Sequence, residues 1–497
     1  MIVINHRSKY FLFFVITFGL GLIYFYSVSY FFIFDDTSIV TKGAQLSIGK
    51  IVSQPLAGFY RPACFILAKI EYLLFGWQYP GGYSIVTILA HCASTLIFYY
   101  LLLEFGFDAT AATISSLLFL ASAWAAETIF WMSCQFDIFS VLFGLSSSLL
   151  LAIFIRNKNN SILIISVLLY ITALLFKENA IIFSFLLIII ITLRLRDNCL
   201  SSFRESIITF SPFILATVLY LMFRSIILPN FNGAYGNIST LYQQANIIEN
   251  IKLYLETLLF LNNSKFFYRI QILSCFYTIG AIILLLIAIR KPKIYIILLI
   301  LFFFSIMPVI WAPVNPETTA GGRLLYAPGL LWSAFLGLGA SELINYCAKL
   351  KKIINRKIGR FLAFSSVFIL ILVVFASTIS QIRLWRFSTE LARNIIDYTF
   401  SLPYDSHLYI HITNLPSGTI QGPYLLKSYN LIHHMWGTGR KFNGHISAET
   451  VLISVFDPDI NLPNGPDIFG IHRTHRNEFE VSLPLEKLRT TIKNLSP

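Results

Sequence analysis

The chain has 497 residues, of which 56% are hydrophobic and 12% charged, with a mean hydropathy of +0.72. That charged share is about half of what an average soluble domain carries, so a soluble class is excluded and an integral membrane protein is indicated. The net charge of +13 sits in short segments between apolar runs, which speaks of topology and not of nucleic acid.

The first element is the apolar run from Tyr10 to Phe34. Its roughly 24 residues at 1.5 Å rise make about 36 Å of helix, enough to cross a bilayer with some tilt. Arg7 and Lys9 precede it and no acid does, so the positive-inside bias keeps the amino terminus in the cytoplasm and sends Asp35 and Asp36 to the outer surface. Ser27-Val28-Ser29 has the small-x-small look of a signal cleavage site, but the run continues to Phe34 and exceeds a signal core, so it reads as an anchor.

A first outer loop, residues 35–82, follows. Residues 37–60 are mixed in character. From Arg61-Pro62 to about Gly76, Phe65, Ala68, Tyr72 and Phe75 share a helical face while Lys69 lies off it, as in an interfacial helix carrying Lys69 and Glu71. Further spans are expected at 83–103, 110–130, 137–155, 161–176, 180–196, 207–228, 270–289, 294–311, 323–344 and 361–379. With the first they number about eleven, with boundaries uncertain by about two to four residues.

Charge supports that count. The cytoplasmic segments would be 104–109, 156–160, 194–206, 290–293 and 345–360. All but the first are basic, through residues such as Arg156, Arg194, Lys291 and Arg356. An odd number of spans places residues 381–497 outside. There Pro403, Pro416, Pro423, Pro458, Pro463 and Pro466 interrupt the chain, and 407–412 and 451–455 alternate as short strands. The expected architecture is an all-α polytopic membrane domain over 1–380, with a small mixed α/β extracytoplasmic domain over 381–497.

The six cysteines, 64, 92, 134, 199, 275 and 347, form no CxxC pair, so neither a disulfide framework nor a zinc site is expected. No repeat of solenoid period is present. Polar residues near a membrane are costly and therefore informative. Asp35, Asp36, Glu127, Gln135, Asp137, Lys177, Glu178, Arg224 and Arg323 all fall at the outer ends of spans. One such residue is ordinarily a satisfied interfacial group; a set on one side points to a site. Carboxylates can take a proton or hold a divalent metal, and basic side chains can grip a phosphate.

Plainer readings stand beside this one. Lys177-Glu178 can be an ion pair closing a tight hairpin. His91 can be a packed, hydrogen-bonded histidine. The tail histidines 407, 411, 433, 434 and 445 lack metal-ligand spacing. Asn237-Ile238-Ser239 and Asn262-Asn263-Ser264 are sequons that matter only in a eukaryotic secretory compartment.

Four stretches resemble the polytopic glycosyltransferases of the GT-C fold, most closely the transmembrane-and-tetratricopeptide-repeat O-mannosyltransferases and their bacterial relatives. They are Phe34-Asp35-Asp36 with Tyr60-Arg61-Pro62 and His91; Ala126-Glu127-Thr128 with Gln135-Phe136-Asp137-Ile138; Lys177-Glu178-Asn179; and Gly322-Arg323-Leu324-Leu325-Tyr326-Ala327-Pro328. The resemblance covers most of residues 30–345 and implies inverting transfer of a sugar from a polyprenyl-phosphate donor at the non-cytoplasmic face. It implies Asp35 or Asp36 as general base, and Arg323, Lys177 or Arg224 on the donor phosphate. Arg61, Glu127, Asp137, Glu178 and Tyr326 would support them. The acceptor is left as glycan, lipid or protein, and no cofactor is fixed, with a divalent metal (Mg or Mn) left open.

The chain also departs from the family. Gly322 stands where the family has Glu, the Arg of its Gly-Arg-Ala-Asp stretch is replaced near Gln135, and no tetratricopeptide repeat follows residue 380. The location expected is the bacterial inner or plasma membrane, or the ER membrane in a eukaryote. The rival readings are a transporter or lipid flippase, which needs midplane charges and internal repeats, and a lipid-linked glycan ligase or polymerase, which needs a larger outer loop than 229–266.

Overall fold

The computed structural model describes residues 31–184, 186, 199–230, 233–235, 245–261, 268–316, 321–349 and 356–401, together with Thr17, Gly19 and Gly21 and four strand segments between 409 and 482. The expected first span (10–34) lies outside the described residues except for those three helical positions and its last four residues. Most of the expected span 180–196 and both sequons lie outside them as well.

Long apolar runs become helices because every backbone polar group in hydrocarbon must be satisfied within its own segment. In chain order, the first loop folds into α1 (Asp35–Gln45), α2 (Ile48–Ser53) and α3 (Pro62–Phe75). Then come α4 (Pro80–Glu104), α5 (Ala109–Leu120), the short α6 (Ala126–Phe130), α7 (Gln135–Asn157) and α8 (Asn160–Phe176). The second half holds α9 (Cys199–Ile227), α10 (Ile247–Phe260), α11 (Tyr268–Ala288), α12 (Pro292–Ile306), α13 (Tyr326–Cys347) and α14 (Arg356–Ser401). Among the described residues, six helices are long and apolar enough to cross a membrane. A bent pair, Ala109–Leu120 with Ala123–Phe130, and two shorter apolar helices add to them. The protein is a polytopic, mostly helical membrane protein.

Three elements differ from expectation. Residues 110–130 do not form one straight helix: the chain bends by 41° between Leu120 and Ala123. The loop 229–266 contains α10, started by the Asn246 side chain accepting from the Glu249 N–H. The last helix runs past 379 to Ser401, because Ile382, Trp385, Ala392 and Ile396 continue a buried stripe while Arg386–Glu390 pair at i,i+4 on its outside.

α13 is the central helix, packed against α5, α11, α12 and α14. Small residues let its neighbours close in, as membrane helices require in the absence of a hydrophobic drive between them. A methyl added at Gly339 would run into the Leu284 carbonyl, and one at Gly337 into Ser115. Beyond residue 401 the described strands β1 (Tyr409–Thr419), β2 (His445–Ile453), β3 (Ile471–His475) and β4 (Glu478–Ser482) form one sheet in the order β2-β1-β4-β3. β1 is parallel to both β2 and β4, and β3 is antiparallel to β4.

Candidate active site

The turn that starts α1 is unusual. Phe34 has a positive φ of 46°, which costs a bulky residue about 1–3 kcal/mol. The turn is held by its neighbours: the Asp36 carboxylate accepts from the Ile33 N–H at 3.1 Å, and the Phe34 ring meets Trp131 edge-on with centroids 6.0 Å apart. The two aspartates differ in burial. Asp36 is only 2% exposed, and its Oδ1 accepts from both the backbone N–H (2.8 Å) and the hydroxyl of Ser133. Burial pushes its carboxyl up to about 7, against the opposing effect of those donors. Asp35 is half-buried.

The bend after Leu120 carries Glu127 to the same end of the bundle. Its Oε2 accepts the Arg323 backbone N–H at 3.0 Å, and its Oε1 lies 3.8 Å from the Arg323 guanidinium. Arg323 is 31% exposed, whereas Glu127 is fully enclosed. The guanidinium also lies over Trp131, 5.3 Å from the ring centroid. Segment 127–133 therefore joins the aspartate turn to Arg323.

Lys177 follows the last residue of α8 in extended backbone, with φ −157° and ψ 136°. Consecutive side chains in extended chain point to opposite sides. Lys177 accordingly meets Asp137, while Glu178 turns the other way and accepts from Arg61 Nη2 at 2.7 Å and Nε at 3.1 Å. Arg224 reaches Glu178 at 3.4 Å and the Tyr220 hydroxyl at 3.3 Å. Burial alone would raise the Glu178 carboxyl, but Arg61 first and Arg224 second override it and hold the group at about 2. Lys177 and Glu178 are thus not partners of each other.

Two cavities meet here. A small one of about 30 Å³ is lined by Asp137, Lys177, Arg323 and Tyr326. An apolar one of about 260 Å³ runs between α4, α7, α12 and α13, with Lys293 the single charged side chain in its lining. They share Ile182, Phe183 and Ala327 as walls.

Arg61, Glu127, Asp137, Lys177, Glu178, Arg224, Arg323 and Tyr326 sit near the aspartate turn with different duties, while tail histidines 407, 433 and 434 lie outside the described residues. Arg224 lies with Glu178 and Tyr220 and does not line the small cavity. Glu127 and Asp137 hold the two cations, and Ser133, which the sequence reading missed, holds Asp36. Tyr326 lines the cavity and meets His91 Nδ1 at 2.9 Å; because the Leu120 carbonyl 3.2 Å from Nε2 can only accept, the proton is on Nε2 and Tyr326 donates. His91 is thus buried with both ring nitrogens hydrogen-bonded. Among the described residues no three His, Cys, Asp or Glu side chains converge on a point that could hold a metal. The Asp36 oxygens accept three hydrogen bonds, one from Ile33 and two from Ser133.

No protein-family model matches the sequence, and a search of curated proteins finds no match. Among solved structures, the fold is similar to that of the oligosaccharyltransferase AglB from Archaeoglobus fulgidus in complex with an inhibitory peptide and a dolichol-phosphate. The identity is 11% and the TM-score 0.46, over 82% of this chain and 62% of that one, so this chain spans less than two thirds of that protein's length. It is also similar to ArnT from Cupriavidus metallidurans bound to undecaprenyl phosphate, at 12% identity and a TM-score of 0.45, over 88% of this chain and 90% of that one.

Proposed function

We propose that this protein is a membrane glycosyltransferase of the GT-C kind, transferring a sugar from a polyprenyl-phosphate donor to an acceptor hydroxyl on the non-cytoplasmic side. One observation carries the reading: a small cavity bearing Arg323 and Lys177 shares three wall residues with a long apolar cavity. That pairing suits an amphiphile with an anionic head and a hydrocarbon tail. The four sequence stretches that resemble the family supply the residues of the same site.

In this mechanism Asp35 is the base, as the more exposed of the two aspartates, Asp36 being buried. The Asp35 carboxylate takes the proton of the acceptor hydroxyl as its oxygen attacks the anomeric carbon. The bond from that carbon to the phosphate oxygen breaks on the opposite face, and the phosphate leaves with the electron pair. One displacement inverts the centre. Arg323 and Lys177 stabilise the charge that develops on the departing phosphate, a contribution typically worth about 3–4 kcal/mol per donor. Arg224 and Arg61 act on Glu178 and so on the first loop.

The test supplies membranes with polyprenyl-phosphate sugars and compares transfer by the parent with Asp35→Asn, Asp36→Asn, the double variant and Arg323→Ala. Loss in Asp35→Asn and Arg323→Ala is expected. Undiminished transfer by both single aspartate variants and the double would remove these carboxylates from the mechanism.

A further inference from the structure

A second buried carboxyl lies in the first loop, and the transfer chemistry does not use it. Glu71, near the end of α3, is 1% exposed. Its Oε1 accepts from Gln135 Nε2 at 2.9 Å, and its Oε2 is enclosed with no partner. The orientation of that amide is fixed, because Gln135 Nε2 also faces the Tyr83 carbonyl at 3.0 Å, which can only accept. Thr87 Oγ1 lies 2.8 Å away as a third acceptor, so the two amide hydrogens are shared among three oxygens. Gln135 therefore gives Glu71 part of one hydrogen bond, far less than a buried carboxylate needs.

Groups facing Glu71 from the packed elements do not supply a charge to balance it. From α4 comes the Tyr83 phenol, and from its own helix the Cys64 thiol, each close enough to feel its charge. Of the cations near α3, Arg61 at its N-cap pairs with Glu178, Lys69 donates to the carbonyls of Gly43, Ala44 and Leu46, Lys42 of α1 interacts with Asp35, Lys50 of α2 is exposed, and Lys177 beyond α8 is paired with Asp137. No cation pairs with Glu71 among the described residues. We propose that Glu71 is a protonated latch, an uncharged carboxyl that holds α3 and the first loop against α7 and loosens that hold as its proton is lost.

Burial raises this carboxyl to about 8, with the Gln135 hydrogen bond opposing. The sign follows from linkage. Between the ordinary carboxylate range and about 8, the docked loop keeps a proton that the open loop releases, so docking weakens as pH rises through that window and levels off above it. The latch acts on the loop that presents Asp35 and Asp36, yet its readout needs no substrate and stands apart from the transferase reading.

Hydrogen exchange of the α3 amides in the full protein tests it, comparing the parent with Glu71→Gln, Glu71→Ala and Asp36→Asn, after correction for intrinsic exchange. The parent is expected to lose protection by about tenfold per pH unit from about pH 5.5 to about pH 8, and to be flat above, the slope of one linked proton. Glu71→Gln, neutral at every pH, should keep its protection with no slope. Asp36→Asn should retain the parent's slope, which separates the two carboxyls. A flat parent profile, or the same slope in Glu71→Gln, would overturn the proposal even if Glu71→Ala fails to fold.

Discussion

The Arg323 guanidinium lies over the indole of Trp131, 5.3 Å from the ring centroid, and Phe34 meets the same ring from its edge at 6.0 Å. One side chain thus lies between the turn at Phe34 and the Arg323 cation that lines the small cavity. Trp131→Ala should lower kcat/KM about 10–100-fold, with Trp131→Phe restoring most of it, because the phenyl ring keeps a face for the guanidinium. Arg323→Ala should cost about 100–1,000-fold. Steady-state transfer assays on folded, membrane-inserted protein separate these.

Ser133→Ala removes the hydroxyl donor to Asp36 and leaves the backbone N–H in place. A loss of about 1–2 kcal/mol is expected, read as faster exchange of the α1 amides. With a donor gone, the Asp36 carboxyl should rise above about 7. A titration of that group that moves downward would contradict this account of its burial.

Glu178 behaves in the opposite sense to Asp36 and Glu71. Its depressed carboxyl contributes stability that is complete above the ordinary glutamate range and is lost as pH falls from about 4.5 toward about 2. Glu178→Gln leaves Arg61 and Arg224 facing each other and should cost about 3 kcal/mol. Thermal unfolding at neutral and at acid pH checks both statements: the difference between parent and variant should shrink at low pH.

Ala327 lines both cavities. Ala327→Phe should fill the junction and raise KM for a long-chain polyprenyl donor about tenfold. A donor whose tail is too short to pass the junction should be little affected. Equal effects on both donors would detach the apolar cavity from donor binding.

Gly339 packs its α-carbon against the Leu284 backbone, where a methyl has no flexible neighbour to displace. Gly339→Ala should destabilise the α11–α13 contact by about 2–3 kcal/mol, seen as a lower melting temperature in detergent.

Span positions were legible because the apolar runs are long and most of the segments between them are basic. The expected helix at 161–176 is observed as Asn160–Phe176, and that at 83–103 as Pro80–Glu104. The break after Leu120 was not, since Ala121-Ser122-Ala123-Trp124 carries no proline or glycine and only tertiary packing bends it. The end of α14 was missed because hydropathy stops at 379 while a buried stripe continues at helical spacing. Of the site, the residue types and their shared end could be read from the chain. The partners could not. Lys177 and Glu178 look like a local pair, yet each finds its counter-ion on another element, and Ser133 differs from any other serine only by what folds onto it.

The extended backbone of Lys177 has a mechanical corollary. One peptide unit separates the cation that borders the small cavity from the carboxylate that grips Arg61. A shift of the first loop therefore reaches the cavity wall through one ion pair and one peptide unit, and a ligand that draws Lys177 inward tugs on the loop in return.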